Sequence, residues 1–111
     1  MMYIRSLNKT KPFKTPSGNS IWWLIPKEIG APNFELRYFE VKANGQTSPG
    51  KHPWKHEVFV VKGQGIIRGK EFEGELGFGN AVFISPNQEH QFINPNKEPF
   101  GFVCVIYTKR L

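Results

Sequence analysis

The sequence predicts an all-β domain of the sandwich or barrel kind. Three observations carry this. The apolar stretches are short and rich in β-branched and aromatic residues. Eleven Gly and nine Pro break them at short intervals. No long stretch repeats apolar residues at helical spacing. Short strands separated by frequent turns are the pattern of sandwiches and barrels. A length of 111 residues is enough for one domain. Ten Phe, three Trp and three Tyr supply the bulk for its core.

The elements follow in order. Residues 1–20 are polar and basic and contain Pro12, Pro16 and Gly18. They are expected to form an N-terminal arm that packs on the domain or crosses to a second subunit. The domain proper is placed at 21–111. Strands are expected at 21–25, 34–41, 57–62, 65–68, 71–75, 81–84, 90–93 and 100–107. Turn signals separate them, among them Pro26, Ala43-Asn44-Gly45, Gly77-Phe78-Gly79-Asn80 and Asn94-Pro95-Asn96. A single helical turn is expected near 26–29. Gly63-Gln64-Gly65 is read as a strand–turn–strand junction, not a phosphate loop, because no helix start and no Gly-Lys-Ser/Thr follows.

Charge and cysteine content narrow the function. The formal net charge is +6, with the excess Lys scattered apart from clusters at Lys9, Lys11, Lys14 and at Lys109, Arg110. A basic surface of this kind favours small anionic ligands. No zinc-finger pattern, basic helix or basic–aromatic strand motif is present, so nucleic acid is not an expected partner. Cys104 is the single cysteine, which excludes an intrachain disulfide. It lies in the apolar run Phe102-Val103-Cys104-Val105-Ile106-Tyr107 and reads as a small buried hydrophobe, not a nucleophile. Residues 1–14 hold no apolar signal-type run. No stretch reaches the roughly 20 apolar residues that span a bilayer. A cytoplasmic protein without a membrane partner is therefore expected.

All three histidines fall in two segments, Gly50-Lys51-His52-Pro53-Trp54-Lys55-His56-Glu57 and Pro86-Asn87-Gln88-Glu89-His90. On a straight strand His52 and His56 would stand roughly 13 Å apart, at about 3.3 Å per residue. Two ligands of one ion cannot be so distant, because each Zn–N bond is about 2 Å. A helix would close the gap, but Val58-Phe59-Val60-Val61 argues for strand. A kink at Pro53, which lacks the N–H a central ladder needs, is the remaining route to convergence.

The stretch His52-Pro53-Trp54-Lys55-His56-Glu57-Val58-Phe59-Val60-Val61-Lys62-Gly63-Gln64-Gly65 resembles the first motif of the cupin superfamily. The stretch from Gly79 to Asn94, with Ser85-Pro86-Asn87-Gln88-Glu89-His90 at its centre, is similar to the second. The segment from Ala31-Pro32-Asn33-Phe34 onward resembles small single-domain bacterial members. The match spans roughly residues 21–108. The resemblance implies an RmlC-like double-stranded β-helix, a small jelly-roll barrel of six to eight strands. It also implies one divalent transition metal (Mn, Fe, Ni, Zn or Cu) inside the barrel, and a homodimer. Carried over residue by residue, its metal ligands are His52, His56 and His90. Strand alternation favours His56 over Glu57 for the inward position if Val58 and Val60 share that face; Glu57 is kept as a reserve ligand. Where the family's first motif carries its first His, this chain has Gly50.

Two readings of the site follow. In one, the protein is a metal-dependent enzyme, dioxygenase- or isomerase-like, acting on a small organic and anionic molecule in the barrel. In the other, it is a non-catalytic small-molecule binding or sensing module whose metal site is weakened by Gly50. Trp54 is placed at the barrel mouth, at a subunit interface or as a cap on the core. Trp22 and Trp23 must face opposite sides of their strand. Phe92 is placed on the inward face with His90, and Gln46 is offered as a further pocket residue.

Overall fold

The computed structural model describes residues 1–30 and 33–107. The Ala31-Pro32 pair and the basic Lys109 and Arg110 lie outside the described residues. Among the described residues nine strands are present: β1 (Phe13–Lys14), β2 (Ser20–Ile25), β3 (Phe34–Val41), β4 (His56–Lys62), β5 (Gly65–Arg68), β6 (Glu73–Leu76), β7 (Ala81–Ile84), β8 (Gln91–Ile93) and β9 (Phe100–Tyr107). One 3-10 turn covers Lys27–Ile29, close to the predicted helical turn, and another covers Leu7–Lys9. Two antiparallel sheets form, in the orders β1-β2-β3-β9-β4-β7 and β6-β5-β8. This is the all-β barrel that the turn pattern predicts. Among the described residues no helix is long and apolar enough to cross a membrane.

Alternation decides what each strand buries. Along β4, His56, Val58 and Val60 are buried, whereas Glu57, Phe59 and Val61 are exposed. The register carries that inner face across the sheet. Arg37 pairs with Cys104 and Phe39 with Phe102 between β3 and β9. Val58 pairs with Cys104 and His56 with Ile106 between β4 and β9. The small sheet closes over this face through Phe92, whose ring lies 4.5 Å from that of Phe102. Val41, Val60, Phe100 and Phe102 are almost fully buried. Each such side chain contributes about 1.5–3 kcal/mol of burial free energy. Gly65 is needed beside them, because a Cβ there would enter the Phe100 ring.

Three departures from the predicted elements have local causes. First, the arm joins the sheet from Phe13, because β1 pairs with β2 and the turn between them is tied down. Asn19, 1% exposed, donates to the Gln46 carbonyl and accepts from the Lys42 N–H. Second, β6 starts two residues later than predicted, because Gly69 N–H donates to the Phe72 carbonyl and draws 69–72 into the turn. Arg68 and Glu73 then clamp the hairpin beside this turn at 2.8 Å. Third, β8 starts at Gln91, and His90 instead forms an isolated bridge with Gly50.

Candidate metal centre

The kink that convergence requires is present. The chain bends at Pro53-Trp54, and β4 begins only at His56. His52 therefore folds back over His56 instead of extending the strand. The second segment is pinned to the first by two backbone bonds, Gly50 N–H to the His90 carbonyl at 2.8 Å and His90 N–H to the Gly50 carbonyl at 2.9 Å. The three imidazoles meet as a result. Ring centres lie 5.2 Å apart for His52–His56, 5.4 Å for His52–His90 and 5.3 Å for His56–His90. Three imidazoles bound through one nitrogen each to a tetrahedral ion at about 2.1 Å would have centres roughly 5.3 Å apart. Glu57 points to the opposite, exposed face of β4.

Gly50 borders this cluster directly. A Cβ at position 50 would lie 3.0 Å from His52 Nε2 and 3.4 Å from His90 Nε2. The missing side chain thus leaves open space in front of two of the three rings. His90 Nδ1 lies 2.9 Å from the Gln88 carbonyl. A carbonyl only accepts, so this contact places the proton on Nδ1 and leaves the Nε2 lone pair free.

His56 is engaged differently. Its Nε2 accepts from the Trp54 indole N–H at 2.7 Å. Trp54 also stacks on His52, with ring centres 4.8 Å apart and planes 5° from parallel. Among the described residues no group of three His, Cys, Asp or Glu side chains stands ready to hold a metal ion. The spacing fits an ion, but ligation through His56 Nε2 requires the indole to move aside. Burial, then the Arg37 charge, then His90 and His52 push the His56 pKa down to about 4. Burial, then His90 and Arg37, also lower that of His52. Both rings are held neutral near pH 7, the state in which imidazole binds metal.

The histidines open onto a cavity of about 200 Å³ between the sheets. Phe39, Phe92 and Phe102 form its apolar wall, and Thr15 and Ser17 from the β1–β2 turn contribute hydroxyls. Arg37 also lines it. Its guanidinium lies 5.1 Å from the Trp23 ring centre, and one nitrogen donates to Cys104 Sγ at 3.4 Å. Its Nε is buried and, among the described residues, has no partner. Among the described residues no carboxylate pairs with Arg37.

Sequence reasoning passed over Arg37, the two arm hydroxyls and the place of Cys104 in the cavity wall. Arg37 carried a signal: it is a lone cation in phase with Phe39 and Val41 on β3. Phe92 takes the inward face as expected and lines the cavity, and Trp22 and Trp23 diverge, Trp22 toward Tyr38 and Trp23 toward Arg37. Gln46 does not reach the cavity; it is exposed and bridges to Ile93.

A family model described as a cupin domain matches residues 37–106. A 1-methylthio-D-xylulose 5-phosphate methylsulfurylase from Rhodospirillum rubrum is 33% identical over 76 residues, which cover 68% of this chain and 49% of that protein. The chain thus spans about half the length of this relative. A solved polyketide cyclase from Streptomyces resistomycificus is 29% identical, with a TM-score of 0.88, covering 99% of this chain and 82% of that one. A cupin 2 domain-containing protein from Halorhodospira halophila is 32% identical, with a TM-score of 0.77, covering 89% and 70%.

Proposed function

The chain belongs to the cupin family, and from that premise we propose that it is a metal-dependent enzyme acting on a small organic molecule inside the barrel. The convergence of His52, His56 and His90 on ring spacings of 5.2–5.4 Å is the observation that carries this reading. A divalent transition metal held there would supply Lewis acidity and open coordination positions. The protein's own residues supply the rest. His90 is oriented by the Gln88 carbonyl, His52 is steadied by Trp54, and the phenylalanine wall keeps the reacting molecule out of bulk water. Two similar proteins carry enzyme names, a methylsulfurylase of a sugar phosphate and a polyketide cyclase. They support turnover of a small organic molecule, and the chemistry proposed for this chain is dioxygenase- or isomerase-like.

The test is elemental analysis of the untagged protein after metal loading, beside His52→Ala, His56→Ala and His90→Ala treated alike. About one metal per chain in the wild type, lost in each variant, is the expected result. Wild-type protein that stays metal-free after loading overturns the reading.

A specific observation favours a second reading, a non-catalytic module that binds or senses a small molecule. Among the described residues no Asp or Glu lines the cavity, so no carboxylate general base faces a ligand. A ligand that raises the melting temperature of metal-loaded protein without product formation would support it.

A homodimer is part of the proposal. The outer face of the large sheet exposes Phe34 (58%) on β3 and, beyond β9, Phe59 (45%) on β4 and Phe83 (59%) on β7, an apolar stripe suited to a second copy. Sedimentation should give a dimer, and Phe83→Lys should give a monomer. A monomeric wild type would sink this part.

A further inference from the structure

Arg37 is unexplained by the metal reading. A guanidinium on the inner face of a barrel loses hydration, and burying such a charge is unfavourable unless a counter-charge compensates. Here none does among the described residues. The Trp23 face and the Cys104 sulfur are weak substitutes for a carboxylate, and Nε has no partner. The barrel nevertheless places this cation in the same cavity wall as the three imidazoles. Register explains how: Arg37 sits opposite Cys104, one inward step from the row that holds His56 and Ile106.

We propose that Arg37 is the anchor for the ligand, which is a small, flat organic carboxylate. The carboxylate seats on the guanidinium, and the rest of the molecule lies along Phe39, Phe92 and Phe102 toward the histidines. Three properties of the cavity select this class. Among the described residues that line it, the only formal charge is positive. Its wall is aromatic, with Phe39 and Phe102 stacked 5.3 Å apart at 4° and Phe92 stacked on Phe102. Its 200 Å³ is the volume of roughly seven liquid waters at about 30 Å³ each, room for a compact acid. A planar fork of donors recognises a carboxylate in a way that a lysine's point charge does not. The inference rests on the cavity being the ligand site, but it does not require the metal.

Benzoate and its uncharged counterpart benzamide are suitable probes, with inorganic phosphate as the alternative anion. Binding is read by calorimetry and thermal shift on metal-free and metal-loaded protein, for wild type, Arg37→Gln and Arg37→Lys. Metal content is measured on every sample. The wild type should bind benzoate at least tenfold more tightly than benzamide or phosphate. Arg37→Gln should lose at least tenfold, Arg37→Lys should fall between, and both should keep the wild-type metal content. Equal benzoate affinity in wild type and Arg37→Gln overturns the proposal, as does a preference for benzamide or phosphate. Should Arg37→Gln fail to fold, the benzoate-to-benzamide ratio in the wild type and the Arg37→Lys affinity decide alone. Absence of benzoate binding in protein that holds its metal defeats this inference and leaves the metal reading standing. Arg37-dependent binding in protein that takes up no metal does the reverse.

Discussion

The indole N–H of Trp54 donates to Nε2 of His56 at 2.7 Å. The only lone pair that this nitrogen has is therefore already in use. Any ion that binds there must compete with the indole. Trp54→Phe keeps an aromatic ring to stack on His52 and removes the donor. A neutral hydrogen bond contributes about 1 kcal/mol net, so metal affinity should rise roughly fivefold in the variant. A competition titration with a chromogenic zinc chelator measures this. Equal or weaker zinc binding by Trp54→Phe would show that the indole is no competitor.

Gly50 gives a second prediction at the same site. The Cβ of Gly50→Ala would meet His52 Nε2 at 3.0 Å and His90 Nε2 at 3.4 Å. The backbone bridge to His90 survives, because both of its bonds are main-chain. Stability should change by less than about 1 kcal/mol, while metal occupancy falls several-fold under limiting metal. The measurement is elemental analysis beside a thermal melt of the metal-free form. Full occupancy in Gly50→Ala would mean that the space in front of the two nitrogens is not the coordination site.

Much of this arrangement was legible in the sequence. The runs at 34–41, 65–68, 81–84 and 100–107 coincide with β3, β5, β7 and β9, because each is bounded by turn residues and filled with residues suited to a pleated surface. The family resemblance implied His56, period-2 alternation with Val58 and Val60 supported it over Glu57, and the structure buries His56 on that face. Pro53 signalled the bend that brings His52 back. What could not be read locally depends on cross-strand neighbours far away in the chain. Arg37 meets Cys104 only through the β3–β9 register, and its lack of a carboxylate partner among the described residues is a property of the folded surroundings. The Trp54–His56 bond hides for another reason: two residues apart, they meet only because the bend precedes the strand. β1 was missed because a two-residue strand has no detectable period.

The neutral imidazoles also set a pH dependence. The His56 pKa is pushed down to about 4 in the folded protein, from 6.5 for an unperturbed ring. Between those values the unfolded chain binds more protons than the folded one, so stability rises with pH across that window. The contribution is present in full above about pH 6.5 and is lost as pH falls through about 4. The lowered His52 pKa acts in the same direction. Metal-free protein should therefore melt progressively lower as buffer pH goes from about 7 to about 4.5, and His56→Gln should flatten that slope. An identical slope in the two proteins would remove His56 as its cause.

Asn94 holds the barrel together behind the site. It has no exposed surface. Its amide nitrogen lies 3.1 Å from the Val41 carbonyl, 3.1 Å from that of Lys42 and 2.7 Å from that of Glu98, and its Oδ1 accepts from the Asn96 N–H at 3.0 Å. One side chain thus joins the end of β3 to the loop after β8, where Asn94 N–H also donates to the Gly45 carbonyl. Asn94→Ala removes every side-chain bond while leaving buried backbone groups without partners, and each such orphan costs about 1–3 kcal/mol. A loss of about 2–3 kcal/mol overall corresponds to roughly 8–20 °C in Tm for a domain near this size. The same loop is continuous with β8 and so with the His90 bridge to Gly50. Metal binding in Asn94→Ala, measured well below its melting point, should therefore weaken by a smaller factor than in His90→Ala. Thermal melts and zinc titrations on the two variants check both halves. A Tm within about 2 °C of wild type would show that the Asn94 bonds are replaced by water at no net cost.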